Sequence, residues 1–178
     1  MKPAINIVDM LRDNVEIGAP FSIGEEGREI IPRLQELLRI GRKHGVPIIF
    51  ANDSFLPNDF TSQGEIFQGE IEPHCIRGTT GAEVISELQP HDSDIVLPKR
   101  RFSAFFKTDL DITLRQLGVD TIVVGGISTP VCVMFTVIDG ICNGFKAILL
   151  DDCCAAHKRE IHDKALGLYG RMPLLEVI

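Results

Sequence analysis

No apolar run in this sequence reaches the roughly 18 residues that a membrane-spanning helix requires, so no membrane association is expected. Positive charge is scarce as well: 18 Lys+Arg stand against 25 Asp+Glu, a formal charge of −7. Phosphate backbones are held by basic faces, and here the basic runs are short, Lys99-Arg100-Arg101 and Lys158-Arg159. Nucleic acid is therefore not an expected partner. Repeats and low-complexity stretches are missing, and so are a P-loop and a dinucleotide-binding fingerprint. The five cysteines form an odd set, from Cys75 to Cys154. The N-terminal apolar stretch is too short and ends too early, at Asp9, for a secretory signal. Free thiols in a reducing cytoplasm are the expectation. What is present is 178 residues, 44% of them hydrophobic, which suits a single domain over residues 1–178 with an ordinary core.

Five short apolar runs read as strands: Ala4–Val8, Val46–Ala51, Asp94–Leu97, Thr121–Val124 and Ala147–Leu150. They show no alternation, which points to a parallel sheet covered on both faces. Helical stripes lie between and after them. Ile30, Ile31, Leu34, Leu37 and Leu38 form the first, before a stop at Gly45 and Pro47. Leu110, Leu114 and Leu117 form the second, with Thr108 as N-cap, Asp111 three residues on, and Gly118 at the end. Met134, Val137, Ile138 and Ile141 form the third; Ile161, Ala165 and Leu168 form the fourth. A short helix is expected near Ala82–Leu88, inside a long loop-rich segment from Asn52 to Pro90. This order predicts an α/β protein, a three-layer α/β/α sandwich around a mainly parallel, Rossmann-like sheet.

Ligands of open α/β sheets bind at the carboxyl ends of the strands. Asp9 follows the first strand, Asn52 and Asp53 the second, Lys99 the third, and Gly125-Gly126-Ile127-Ser128-Thr129-Pro130-Val131-Cys132 the fourth. Asp151 and Asp152 follow the fifth. Thr129 is a good N-cap and Pro130 suits the first helical position, so Cys132 falls in the first turn. There the helix dipole lowers a thiol pKa and free N–H groups can hold an oxyanion. A small buried helix residue is the competing reading of Cys132. Asp9 alone also reads as a loop cap, and Lys99 alone as a solvated lysine. Together they make chemical sense: a carboxylate takes the thiol proton and a lysine keeps that carboxylate ionised.

These segments resemble the isochorismatase-like cysteine hydrolases, which include nicotinamidase and N-carbamoylsarcosine amidase. The resemblance runs from Ala4 to about His157. It rests on Ile5-Asn6-Ile7-Val8-Asp9-Met10, on Glu72-Pro73-His74-Cys75-Ile76-Arg77-Gly78-Thr79-Thr80-Gly81-Ala82-Glu83, on Lys99-Arg100-Arg101-Phe102-Ser103-Ala104-Phe105 followed by Thr108-Asp109-Leu110, and on Gly126-Ile127-Ser128-Thr129-Pro130-Val131-Cys132-Val133. The resemblance implies a catalytic triad of Asp9, Lys99 and Cys132, an acyl-enzyme on Cys132 and ammonia as first product. It also implies a cis Ile127–Ser128 peptide, an oxyanion hole from the Ser128 and Cys132 N–H groups, and a homo-oligomer.

The resemblance also has a gap. Nicotinamidases hold a metal through an Asp-x-His pair after the second strand and a later His. Here that stretch is Asp53-Ser54-Phe55, and Phe55 cannot ligate. Asp53 and His74 remain as vestigial candidates, with loop capping and a backbone-bonded histidine as the favoured readings. Two ligands rarely hold a catalytic zinc, so no cofactor is expected. The expectation is an amidase of the N-carbamoylsarcosine type, cleaving a non-peptide C–N bond of a small amide or ureido compound. Nicotinamidase and a non-catalytic binding protein are the alternatives. Such ureido substrates carry a carboxylate, for which Arg100 or Arg101 is the nearest candidate anchor, against a solvated surface arginine as the favoured reading; Phe55, Phe102 and Phe105 read equally as pocket walls or as core.

Overall fold

The computed structural model describes residues 1–64 and 66–178. Six strands form one sheet: β1 (Pro3–Val8), β2 (Ile48–Asp53), β3 (Ile95–Lys99), β4 (Thr121–Ile127), β5 (Lys146–Ala155) and β6 (Leu175–Val177). Their order is β3-β2-β1-β4-β5-β6, and every pairing is parallel. Six helices connect them: α1 (Arg12–Val15), α2 (Glu25–Glu29), α3 (Ile31–Lys43), α4 (Leu110–Gln116), α5 (Met134–Cys142) and α6 (Arg159–Tyr169).

The sheet is apolar on both faces because each face is covered. On β1, Ile5 and Ile7 join a buried cluster with Leu34 and Leu38 of α3. Ala4 and Val8 point the other way, into a cluster with Leu110 and Leu114 of α4 and Met134 and Val137 of α5. The three expected layers are present, and the sheet is wholly rather than mainly parallel.

The elements depart from the sequence reading mainly at their ends. β2 runs on through Asn52 and Asp53, β3 through Pro98 and Lys99, β4 through Gly125–Ile127, and β5 through Asp151–Ala155. Pro98 is tolerated because β3 is an edge strand, where one side needs no donor. The expected helix near Ala82–Leu88 is two 3-10 turns, Thr80–Ala82 and Ser86–Leu88. Helix α4 starts at Leu110 with Asp109 in the cap position; the Thr108 hydroxyl accepts from the Leu110 N–H, and Asp111 pairs with Arg115 instead of reaching back. Helices α1 and α2 and strand β6 lacked a clear pattern.

Gly126 decides how β4 meets β1. Its φ is +121°, and an added Cβ would lie 2.1 Å from the Val8 carbonyl oxygen. Beside it the β4–β5 register jumps, from Val124 opposite Leu149 to Gly126 opposite Cys154. Gly126→Ala is expected to cost about 2–4 kcal/mol, from backbone strain and overpacking combined. Urea unfolding checks this; a loss under about 1 kcal/mol would show that the strand end can shift aside.

Candidate active site

The first three strands deliver three charged side chains to one point. Asp53 and Lys99 are register partners at the ends of β2 and β3. Asp9 follows β1 with φ 55°, held by its N–H donating to the Ala51 carbonyl at 3.1 Å. The Lys99 ammonium lies 2.8 Å from Asp9 Oδ2 and 2.5 Å from Asp53 Oδ1, and its side chain has no solvent exposure. The other Asp9 oxygen accepts from the Asp53 backbone N–H at 2.7 Å. Asp53 is thus part of the charged centre and not a loop cap.

Burial and the neighbouring Asp53 push the Asp9 carboxyl up to about 7, against the pull of Lys99. Burial works against the Lys99 charge, but Asp53 and Asp9 outweigh it and hold the ammonium well above its ordinary range. Two carboxylates around one ammonium cannot both be neutralised, which is why one acid is easily protonated.

Cys132 comes to this centre from the β4–α5 turn. Its sulfur and the Asp9 and Asp53 carboxylates lie within 4.8 Å of one another. The Ile127–Ser128 peptide is cis, as the resemblance implied. Two expectations about the turn fail. The thiol is not lowered: burial drives it well above its ordinary value, with Asp9 and Asp53 adding to burial and Lys99 opposing it. A resting thiol therefore needs a base. Thr129 is not a side-chain cap either. Its hydroxyl is bonded to His162 Nδ1 at 2.8 Å, and His162 Nε2 meets Asp151 at 2.8 Å. Thr129 and His162 are both fully buried, so this chain ties the turn to α6 and β5.

A cavity of about 630 Å³ opens onto Cys132, with Asp9, Asp53, Ser128 and Ile127 at its base. Phe55 and Phe102 line it as expected, whereas Phe105 does not; Phe105 packs against Phe145 beneath α5. Arg100 and Arg101 are also away from the lining. The Arg100 guanidinium binds Asp59 at 2.5 Å, and Arg101 donates to the Arg100 carbonyl. The acidic pull of buried Asp59 explains why Arg100 turns from the cavity.

His74 lines the cavity and is backbone-bonded, Nδ1 to the Glu72 oxygen at 2.9 Å. Its ring stacks on Phe21 at 4.1 Å and meets Phe55 and Phe60 edge-on. The next residue, Cys75, donates its N–H to Asp13 and its thiol to Asn14, while Asn14 donates to the Asp9 carbonyl. That path anchors the His74 loop to β1. Asn14, Phe21, Glu70 and His157 line the cavity without having been singled out from sequence. Only long-range folding brings them there.

The isochorismatase domain model matches residues 3–172, nearly the whole chain. The chain belongs to the isochorismatase family. An Arabidopsis thaliana relative, a probable inactive nicotinamidase, is 31% identical over 169 residues, covering 89% of this chain and 83% of its own. Two solved structures show the same fold. N-carbamoylsarcosine amidase from Thermoplasma acidophilum superimposes with a TM-score of 0.83 at 30% identity, covering 99% of this chain and 95% of its own. A pyrazinamidase of Pyrococcus horikoshii in complex with zinc gives 0.89 at 27% identity, covering 100% and 99%. Active enzymes among the family's relatives of this chain hydrolyse carbon–nitrogen bonds outside peptides.

This isochorismatase-family chain has one cluster of three metal-capable donors among its described residues: Asp9, Asp53 and Cys132. The set suits an imidazole-containing zinc site poorly. Both carboxylates already hold the buried Lys99 ammonium. Phe55 presents hydrocarbon, and His74 is outside the donor cluster, packed among rings.

Proposed function

We propose that this chain hydrolyses small amides through a covalent thioester on Cys132, releasing ammonia without the help of a metal. The observation that carries the reading is the buried Lys99 ammonium joining Asp9 and Asp53 beside the Cys132 sulfur, at the base of a cavity.

That geometry supports the following steps. Asp9 takes the Cys132 thiol proton as sulfur attacks the amide carbonyl carbon. The carbonyl oxygen becomes an oxyanion, held by the Ser128 and Cys132 N–H groups. Collapse breaks the C–N bond, and Asp9 returns its proton to the departing nitrogen, giving ammonia. Water then adds to the thioester, losing a proton to Asp9, and the acid leaves as the thiol re-forms. Lys99 keeps charge balanced throughout. In reaction class, though not in substrate, the proposed activity follows that of N-carbamoylsarcosine amidase among the relatives, with nicotinamidase as the second reading.

The acid limb of the rate tests the base. Asp9 works only when ionised, and its carboxyl is raised to about 7. Ammonia release is expected to fall about tenfold per pH unit below roughly pH 7, an apparent value for the coupled cluster. Asp53→Asn removes a charge that raises Asp9, so the limb should move to lower pH. A wild-type limb near pH 4 would show that Asp9 is not raised in the working enzyme, and an Asp9→Asn variant that keeps the wild-type rate would remove Asp9 from the role.

A further inference from the structure

The walls of the cavity choose the substrate's acyl group. Ile23, Ile66, Ile71 and Val131 line it together with a ring cluster. Phe55 and Phe67 lie 5.1 Å apart, and Phe21 stacks on His74. Among the described residues that line it, the charged ones are Asp9, Asp53 and Glu70; none is lysine or arginine. Lys99 is buried beneath and shared between two carboxylates, so with both ionised it leaves the base of the cavity one unit negative.

A carboxylate-bearing substrate would lose its hydration there and meet like charge. An uncharged apolar group gains by the same walls, about 25 cal/mol per Å² buried. Size points the same way. A volume of about 630 Å³ falls in the range of pockets that enclose drug-sized ligands, far more than one small ring needs.

We propose that the substrate is an uncharged primary amide with a bulky apolar acyl group, arylalkyl or branched aliphatic, and not a carboxylated ureido or amide acid. This rests on the amidase reading for turnover, while the binding preference rests on the cavity alone.

The test separates the two. The Cys132→Ala protein binds amides without cleaving them, so calorimetry at pH 8 reads recognition directly. Three probes suffice: 4-phenylbutanamide, the same molecule carrying a para-carboxylate, and acetamide. The neutral phenyl amide is expected to bind at least tenfold tighter than its carboxylated form and about a hundredfold tighter than acetamide. Phe67→Ala, added to Cys132→Ala, should lose most of that second margin, and Glu70→Gln should narrow the first. Equal or tighter binding of the carboxylated probe overturns the proposal. So does phenyl amide binding no stronger than acetamide, including no detectable binding of either. Ammonia release by wild type from the same amides tests the chemistry: tight binding without release would sink the amidase reading and leave the preference standing.

Discussion

Cys132→Ala is expected to abolish ammonia release, a loss of about 10⁴-fold or more, since removing a nucleophile disables the groups that act with it. The side chain is small and 8% exposed, so folding should be nearly unchanged. Two readouts make the test specific. Quenched wild-type reactions should show the acyl mass on the peptide containing Cys132, and the variant should show none. Cys153→Ala is the contrast. That thiol is pushed up to about 12 by burial and by Asp152, and it does not line the cavity. Its removal should leave the rate within about threefold. Robust turnover by Cys132→Ala would overturn the thioester mechanism. The expectation depends on Asp9, because Cys132 is not a pre-formed thiolate: burial holds it protonated.

Lys99→Met should be the most damaging change to stability. It leaves Asp9 and Asp53 buried beside each other with no cation, and breaking such a cluster costs about 3–5 kcal/mol. For a chain of this size that corresponds to a fall in Tm of roughly 6–20 °C. The deficit should depend on pH, and the sign follows from proton linkage. Without Lys99 the native carboxyls are raised above their unfolded values, so the native state binds more protons. Stability then falls as pH rises above about 4, and the deficit should be larger at pH 8 than at pH 5.5 in thermal melts. Equal Tm values for variant and wild type at pH 8 would mean that water screens the cluster. Ammonia release should vanish as well, because Asp9 would hold its proton in the working pH range.

The strands were legible as apolar runs because their middle sections are buried on both faces. Their exact ends were not: polar residues read as following the strands prolong them, and the site lies there. β2, β3 and β5 each finish on polar residues that no hydrophobic pattern marks: Asn52 and Asp53, Lys99, Asp151 and Asp152. Asp53 was misread for that reason. Pairing β2 with β3 in register would have set it beside Lys99. The Arg100 and Arg101 anchors failed for another reason: β3 ends at Lys99, and in the bend beyond it Arg100 binds Asp59 while Arg101 donates to the Arg100 carbonyl. Phe105, in the turns between β3 and α4, packs into the α5 layer.

The amino-acid sequence by itself determined the layer architecture and brought Asp9, Lys99 and Cys132 forward as candidates, since strand-end residues and a Gly-Gly turn are local features; the triad came from the family resemblance. Tertiary structure alone decided the charge state and the walls. A thiol's pKa depends on what surrounds it; burial and two carboxylates reversed the effect expected of a helix N-terminus. The cavity draws Phe21, Phe67, His74 and His157 from segments far apart in the chain. Their convergence depends on packing across the whole sheet, which no local pattern encodes.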